Sequence, residues 1–343
     1  MEEDGTKTLE DSKTVGEGER EGEGGGEKMT TKKVGPSYRF DLKDEKKWKS
    51  HLENSGYVVI ASAVSKEGVE KAKDLLWTDI EKQYPGTNRK KPETWNGPPF
   101  ITDTGIIAEL AQSAGAWSIR GEPKVKEAFS KIWSTTDLLV SMDCVIAWRP
   151  WWTKSSWETP KTENMHLDQN PFHKPGLETV QGMVPLYPVT KEVGGLGVVP
   201  FSHTEKVHKV VKEKYPYFER RSDWCVFRDR CECTKENILL LAQPGDLILW
   251  DSRLIHGGKV GMGRRGSKAG KDDLARLSVT VCMTAKSRAS EKCLRARQRA
   301  FRMGQSLNHT PHEAGTSLGT VHSKPIRDYR PAKLSAAQME LLC

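Results

Sequence analysis

The chain has 343 residues, 36% of them hydrophobic, and a formal net charge of +8. A chain of this length buries a sizeable core without needing a metal or a disulfide, and no apolar run approaches the roughly 20 residues that a membrane span needs. The excess positive charge favours an anionic partner, which could be nucleic acid, an anionic membrane surface or a carboxylate-bearing small molecule.

The first 33 residues differ in composition from the rest. They hold ten acids against six bases, which leaves the remaining chain near +12, and they are rich in Gly and Glu with almost no apolar residues. Such a segment cannot offset the entropy of ordering. We therefore predict a disordered acidic, Gly-rich tail over residues 1–36, whose role stays open. After the tail we predict a single domain over residues 37–305 and a C-terminal extension over residues 306–343.

Residues from Tyr38 to about Ala147 carry mostly helical signals. Apolar residues recur at helical spacing in KEGVEKAKDLLWTDIEKQY, and two more helices are predicted through IIAELAQSA and KVKEAFSKIW. The run YVVIASAV (57–64) instead predicts a buried strand.

From DLLVSMDCVIAW onward the chain changes to short apolar runs separated by Gly and Pro. ETVQGMVPLYPV, GGLGVVPF, GDLILWDS and RLSVTVCMT follow, interrupted by one amphipathic helix at about 203–221. Several short strands at this spacing predict a sandwich or barrel, which we place at about 138–285.

A basic helix is predicted over 286–303, a segment that contains seven Lys and Arg residues and one acidic residue, Glu291. Two interpretations stay open. A solvated or packing face is favoured, because Phe301 is the one aromatic residue and nucleic-acid surfaces usually interleave several. The other interpretation is a surface that grips nucleic acid.

Three His-x-acid pairs occur in the chain, and a metal-binding pair must have both side chains on one face. This requires a strand, because residues two apart diverge by about 200° on a helix. The pair in HLE (51–53) lies in a predicted helix that ends at Gly56, and the pair in HTE (203–205) opens the amphipathic helix with Ser202 as its predicted N-cap. Both pairs are therefore excluded.

The third pair, His166 and Asp168, lies in TENMHLDQNPF, an extended stretch that ends at a turn. A metal face of two histidines and one carboxylate needs its third ligand from a different strand. His256, just beyond the predicted strand in PGDLILWDSRLIHGG, is the best candidate, and a hydrogen-bonded core histidine is the alternative.

Arg276 and Ser278 share one face of the predicted strand in LARLSVTVCM. An Arg in an apolar strand needs an anion, and a guanidinium beside a hydroxyl forms a receptor for a ligand carboxylate. The alternative is that Arg276 pairs with a structural Asp or Glu.

Together these motifs resemble the phytanoyl-CoA dioxygenase-like family of Fe(II)/2-oxoglutarate-dependent oxygenases. The resemblance rests on MHLDQNP, VQGMVPLYPVTKEVGGLGVVPFSH, QPGDLILWDSRLIHGG and RLSVTV, and spans about residues 50–285. It implies a mixed β fold with helices, a double-stranded β-helix (a distorted, cupin-like jelly roll) with helices packed on one side.

The resemblance also implies the roles of single residues. The catalytic iron centre would be His166, Asp168 and His256, which bind Fe(II). The receptor of the distal carboxylate of 2-oxoglutarate would be Arg276 and Ser278, with Gln181 facing the same pocket. The implied reaction oxidises an unactivated C–H bond by hydroxylation, desaturation or oxidative ring closure, while 2-oxoglutarate and O2 become succinate and CO2.

The substrate is expected to be a small anionic molecule because basic residues flank the pair. Arg149 and Trp152 lie in the Trp-rich segment before it, and Arg264 and Arg265 lie in the basic loop 259–273. Packing or solvation is the alternative for each. Two other hypotheses stay open: the same chemistry on nucleic acid or a protein, and a non-catalytic metal-binding jelly roll.

The number and spacing of the cysteines indicate in which cellular compartment the protein is expected. Seven scattered cysteines and no apolar segment near Met1 predict reduced thiols and a cytoplasmic protein without membrane contact. The oligomeric state and the identity of the substrate cannot be predicted.

Overall fold

The computed structural model describes residues 38–228, 232–263, 273–314 and 329–343. The predicted tail and most of the basic loop lie outside the described residues. No helix among those described is both long and apolar enough to cross a membrane.

The described chain contains helices mainly near its two ends and a long run of strands between them. The α-helices are α1 (Glu45–Ser55), α2 (Lys66–Gln83), α3 (Ala114–Arg120), α4 (Pro123–Trp133), α5 (Glu205–Lys214), α6 (Glu232–Lys235), α7 (Glu291–Arg302) and α8 (Ala336–Leu342). The strands are β1 (Arg39–Phe40), β2 (Tyr57–Ile60), β3 (Ile106–Ile107), β4 (Leu138–Val140), β5 (Val145–Trp148), β6 (His166–Leu167), β7 (Val180–Pro185), β8 (Gly194–Val198), β9 (Cys225–Val226), β10 (Ile238–Leu239), β11 (Leu247–Asp251), β12 (His256–Val260), β13 (Arg276–Thr280) and β14 (Met283–Ala285).

The strands form two main sheets. A seven-stranded sheet has the order β1-β2-β11-β7-β13-β5-β3, and a five-stranded sheet has the order β10-β8-β12-β6-β9. All neighbours are antiparallel except β1 and β2. A two-stranded sheet joins β14 to β4. The mixed sheets and helices agree with the predicted fold class at this level.

Side-chain alternation separates the cores on the two faces of the seven-stranded sheet. In β2, Val58 and Ile60 join the core that contains the apolar residues of α1 to α4, whereas Tyr57 and Val59 join a core with strands of the five-stranded sheet. The outer side of the five-stranded sheet packs separately, through Leu167, with α5. The resemblance implied that the helices pack on one side. The structure instead places α1 to α4 against the seven-stranded sheet and α5 against the five-stranded sheet.

The helix predictions near the N-terminal end of the domain are confirmed. The side chain of Ser65 accepts a hydrogen bond from the backbone N–H of Gly68 and caps α2. Gly56 has a φ of 82° and ends α1, so HLE (51–53) is helical as predicted.

DLLVSMDCVIAW, where strands were predicted to begin, contains two strands, β4 and β5. Two local predictions were wrong. The segment IIAELAQSA begins with strand β3 and a single 3-10 turn, and helix starts only at Ala114. Ser202 does not cap α5: its hydroxyl accepts from the Ile255 N–H and donates to the Val199 carbonyl, and Thr204 is the N-cap residue.

The basic helix is only partly a solvated face. Arg297 in α7 is fully buried and donates to the backbone carbonyls of Val140, Pro311, Leu341 and Leu342. Its guanidinium therefore ties α7 to α8 and to β4.

Candidate metal centre and cavity

Two neighbouring strands of the five-stranded sheet bring the predicted ligands together. His166 in β6 is paired directly with His256 in β12, and their ring centroids lie 4.5 Å apart. Asp168 follows β6, with Oδ1 3.6 Å from His166 Nε2 and Oδ2 3.2 Å from His256 Nε2. One ligand atom from each residue lies within 4.8 Å of the others, so the three form a compact donor set.

Backbone carbonyls fix the tautomers of both histidines. The Nδ1 atom of His166 lies 2.7 Å from the Asn164 carbonyl oxygen, and that of His256 lies 2.8 Å from the Leu254 carbonyl oxygen. A carbonyl only accepts, so each Nδ1 carries the proton and each Nε2 presents a lone pair to the centre. Burial also lowers the pKa of His166 to about 4, which keeps this ring neutral.

Asp168 supplies the negative charge of the centre. Burial opposes its ionisation, but the nearby His309, His166 and His256 hold the pKa of its carboxyl well below the usual range. The Gln181 side-chain amide donates to Oδ2 at 2.9 Å, and His309 Nδ1 lies 3.9 Å from the same oxygen. The carboxylate is thus ionised and held in place by its neighbours.

This donor set fits a divalent iron. Two imidazole nitrogens and one carboxylate oxygen on one side of a site form the facial triad of non-haem Fe(II) centres, which leaves the other positions open. Metal–ligand bonds of about 2.1 Å at right angles separate ligand atoms by about 3 Å. The measured separations of 3.2 and 3.6 Å therefore need only small adjustments.

Arg276 and Ser278 lie side by side on β13, in the seven-stranded sheet. Arg276 is 5% exposed, and among the described residues neither its Nε nor the Ser278 hydroxyl has a hydrogen-bond partner. The guanidinium lies over the ring of Trp148 at 4.4 Å, with one Nη 3.3 Å from Met183 Sδ. Burial lowers the pKa of Arg276 to about 10, so it stays charged at neutral pH.

The alternative of a structural acid is not supported, since no Asp or Glu in the described part of the chain pairs with Arg276. A buried cation without an anion is costly, and the neighbouring hydroxyl adds a further unsatisfied group. This pair fits the carboxylate of a bound molecule.

One cavity of about 670 Å³ joins the triad to Arg276. Its lining contains the three triad residues together with Gln181 and Arg276. Sequence reasoning missed other residues of the lining, among them Asp143, Glu163, Trp224 and His309. Glu163 lies within TENMHLDQNPF itself, three residues before His166, which was the available signal.

Of the residues predicted to bind the substrate, the two that the structure describes, Arg149 and Trp152, do not line this cavity. Arg149 donates to the Trp95 carbonyl and lies over the ring of Trp157 at 5.1 Å. Trp152 packs edge-on against Trp151 at 4.7 Å. Arg264 and Arg265 lie outside the described residues. The described lining therefore gives no support to an anionic substrate.

Comparison with known proteins agrees with the predicted relationship. The family model described as phytanoyl-CoA dioxygenase (PhyH) matches residues 52–264. The chain is 27% identical over 298 residues to "Ava biosynthesis cluster protein O" of Aspergillus versicolor, covering 79% of this chain and 88% of that protein. It is 28% identical over 129 residues to a "Putative phytanoyl-CoA dioxygenase" of Dictyostelium discoideum, 36% of each chain.

Similar solved structures are more distant. The epimerase SnoN, in complex with Fe3+, alpha ketoglutarate and nogalamycin RO, is 15% identical with a TM-score of 0.48, covering 71% of this chain and 84% of that one. AviO1 from Streptomyces viridochromogenes Tue57 is 14% identical with a TM-score of 0.46, covering 71% and 95%.

Proposed function

Because the chain belongs to the phytanoyl-CoA dioxygenase family, as its motifs predicted, we propose that it oxidises an unactivated C–H bond of a small molecule as an Fe(II)/2-oxoglutarate-dependent dioxygenase. Its cofactors are Fe(II) and 2-oxoglutarate. The observation that carries the proposal is Arg276, which lines the same cavity as a complete His-Asp-His set. Its Nε and the hydroxyl of the neighbouring Ser278 have no hydrogen-bond partner among the described residues.

The proposed roles follow from position. His166, Asp168 and His256 hold the iron from one side, and Gln181 keeps the Asp168 carboxylate in orientation. Bound iron and 2-oxoglutarate would supply the oxidising chemistry, with succinate and CO2 as coproducts. The protein orients both molecules and limits the access of water.

Arg276 and Ser278 are proposed to hold the distal carboxylate of 2-oxoglutarate. The guanidinium fork donates two parallel bonds, and the Ser278 hydroxyl adds a third. We further propose that the two sheets form a double-stranded β-helix, with β13 contributing the cosubstrate pair and β6 and β12 the iron ligands. Hydroxylation, desaturation and ring closure all begin with removal of one hydrogen, and the geometry does not favour one of them.

The experiment that tests this function measures two quantities on the purified protein. The first is iron-dependent conversion of 2-oxoglutarate to succinate, and the second is binding of 2-oxoglutarate to the Mn(II)-loaded protein by calorimetry. We expect His166→Ala to lose turnover and Arg276→Ala to bind 2-oxoglutarate about a hundredfold more weakly, since two charge-assisted hydrogen bonds are lost.

Two exposed residues provide matched controls: His173→Ala and Arg299→Ala should match the parent protein in both measurements. The assignment is wrong if His166→Ala turns over normally or if Arg276→Ala retains full affinity. The non-catalytic alternative predicts no succinate under any condition. The nucleic-acid alternative is weakened by Arg297, which is buried in the basic helix rather than available to a phosphate.

A further inference from the structure

We infer that the molecule oxidised in this cavity carries a basic nitrogen, held as a cation by Glu163, beside an apolar body that packs on Trp224. The inference rests on the proposed function and replaces the anionic substrate that the sequence suggested. Three observations carry it: the charges of the lining, the surroundings of Glu163 and the position of Trp224.

The lining of the cavity is acidic although the chain as a whole is basic. Its described residues include four carboxylates against the single guanidinium of Arg276. Asp168 belongs to the metal set, and Asp223 is bonded to Lys174 at 2.7 Å. Arg276 is assigned to 2-oxoglutarate. Asp143 has an interaction of its own. The carboxylate that remains for a substrate among the described lining residues is therefore that of Glu163.

Glu163 has no hydrogen bond or ion pair with any residue that the structure describes. Glu163 is exposed, and partial desolvation together with the Asp168 and Asp143 carboxylates raises its pKa above the ordinary value. An anionic ligand would add a further like charge here, whereas an ammonium or guanidinium ion would supply an opposite charge. The electrostatics of the open space thus select a cation.

Trp224 gives the same ligand an apolar surface. Its side chain is 51% exposed, lines the cavity and lies 6.3 Å from the His166 ring. Ile106 and Leu196 add aliphatic surface to the lining. A ring of this kind stacks on an apolar body and attracts a nearby cation through its face. An apolar molecule with one basic nitrogen matches both features.

The cavity is a ligand site on independent grounds. Arg276 lines it, is more than nine-tenths buried and has an Nε without a hydrogen-bond partner among the described residues, and the triad lies on its wall. The carboxylate at position 163 is therefore placed beside a site that, in the proposed function, accepts a substrate as well as 2-oxoglutarate.

The test uses matched probes that differ only in charge. Protein loaded with Mn(II) and 2-oxoglutarate, which does not turn over, is titrated by calorimetry with tryptamine, indole-3-ethanol and indole-3-propionate. Phenethylamine, 2-phenylethanol and 3-phenylpropionate form a second set. We expect each amine to bind about tenfold more tightly than its alcohol, as one partly screened ion pair predicts, and each carboxylate to bind most weakly.

Variants separate charge from packing. Glu163→Gln should reduce amine affinity about tenfold, to that of the alcohol, and leave alcohol affinity unchanged. Glu158→Gln removes the same charge from an exposed residue outside this cavity and should change nothing. Trp224→Ala should weaken amines and alcohols alike.

The inference is overturned if amines bind no more tightly than alcohols, which includes the case in which no probe binds, or if Glu163→Gln keeps the preference. Binding of 2-oxoglutarate to the Mn(II)-loaded protein is measured first. Its absence counts against the proposed function and removes the inference with it. Intact 2-oxoglutarate binding without a preference for amines counts against the inference alone.

Discussion

The side-chain amide of Gln181 donates a hydrogen bond of 2.9 Å to Asp168 Oδ2 and so joins the two sheets at the metal centre. Gln181 lies on β7 of the seven-stranded sheet, whereas Asp168 follows β6 of the five-stranded sheet. An ionised carboxylate binds a metal best when its outer hydrogen bonds fix its rotation. Gln181 is therefore a positioning residue in the proposed function. Its hydrogen bond to Asp168 gives a physical reason for its predicted place in the pocket.

Removal of this donor should weaken the metal site. In Gln181→Met the side chain keeps its length but donates nothing, so Asp168 rotates more freely. We expect affinity for Mn(II), measured by calorimetry, to fall about 10- to 100-fold, the usual cost of losing an outer-shell partner. Gln112→Met removes another buried amide, outside the cavity lining, and should leave metal affinity unchanged. A folded Gln181→Met protein with full metal affinity contradicts this role.

Arg276 should lower the folding stability of the unliganded protein while it provides affinity for 2-oxoglutarate. Without metal or 2-oxoglutarate, its buried guanidinium has no anion among the described residues, so an apolar side chain of similar length removes a desolvation cost. We expect Arg276→Met to melt at the same temperature as the parent protein or higher. Its affinity for 2-oxoglutarate should fall at least a hundredfold, because two charge-assisted bonds are lost.

Thermal unfolding with and without saturating 2-oxoglutarate checks both parts. The cosubstrate should raise the melting temperature of the Mn(II)-loaded parent protein by mass action and leave that of Arg276→Met unchanged. A variant that melts well below the parent would mean that Arg276 has a structural partner.

The iron ligands were accessible to sequence reasoning because their signal is local. Alternation on a strand places His166 and Asp168 on one side. The same geometry excluded the His-x-acid pairs in HLE (51–53) and HTE (203–205), which were predicted to be helical. The one signal for Glu163 was its place in TENMHLDQNPF, and His309 gave none. His309 reaches Asp168 only because the chain returns after α7, and no periodicity encodes that return.

Tertiary pairing explains the wrong helix at IIAELAQSA. Gly105 has a φ of 76°, and a Cβ there would lie 2.4 Å from the Ala147 carbonyl oxygen, so the chain enters the segment through a turn that glycine permits. Ile106 then pairs with Ile146 at the sheet edge. The charge of the substrate stays a prediction, because net charge describes a whole surface, whereas the described lining of this one cavity contains four carboxylates.

Arg297 and Arg276 are both buried guanidiniums, but we expect opposite results on removal. Arg297 donates to four backbone carbonyls, and Arg297→Met leaves these acceptors unsatisfied. We expect a loss of about 3 kcal/mol or more in the free energy of unfolding, measured by urea titration. Arg299→Met, on an exposed position of the same helix, should change it by less than about 0.5 kcal/mol. Equal losses in the two variants would contradict the proposed tie to α8.

The stability of the protein should depend on pH through His312. Burial, with the charges of Arg288, Lys174 and Arg297, lowers the pKa of His312 to about 3, although Glu178 Oε2 lies 3.9 Å from its ring. In the unfolded chain a histidine has a pKa of about 6.5. Below that pH the unfolded state therefore binds a proton that the folded state does not bind.

The contribution of neutral His312 to the free energy of unfolding is fully present above pH 6.5. It is lost as the pH falls toward 3, with a limiting slope of about 1.4 kcal/mol per pH unit. His312→Gln has no such proton, so its urea midpoint should fall less than that of the parent protein between pH 7 and pH 5. His166 contributes equally to both proteins, and the exposed His173→Gln should follow the parent. Parallel pH profiles for His312→Gln and the parent would show that His312 takes up a proton as readily in the folded protein as in the unfolded chain.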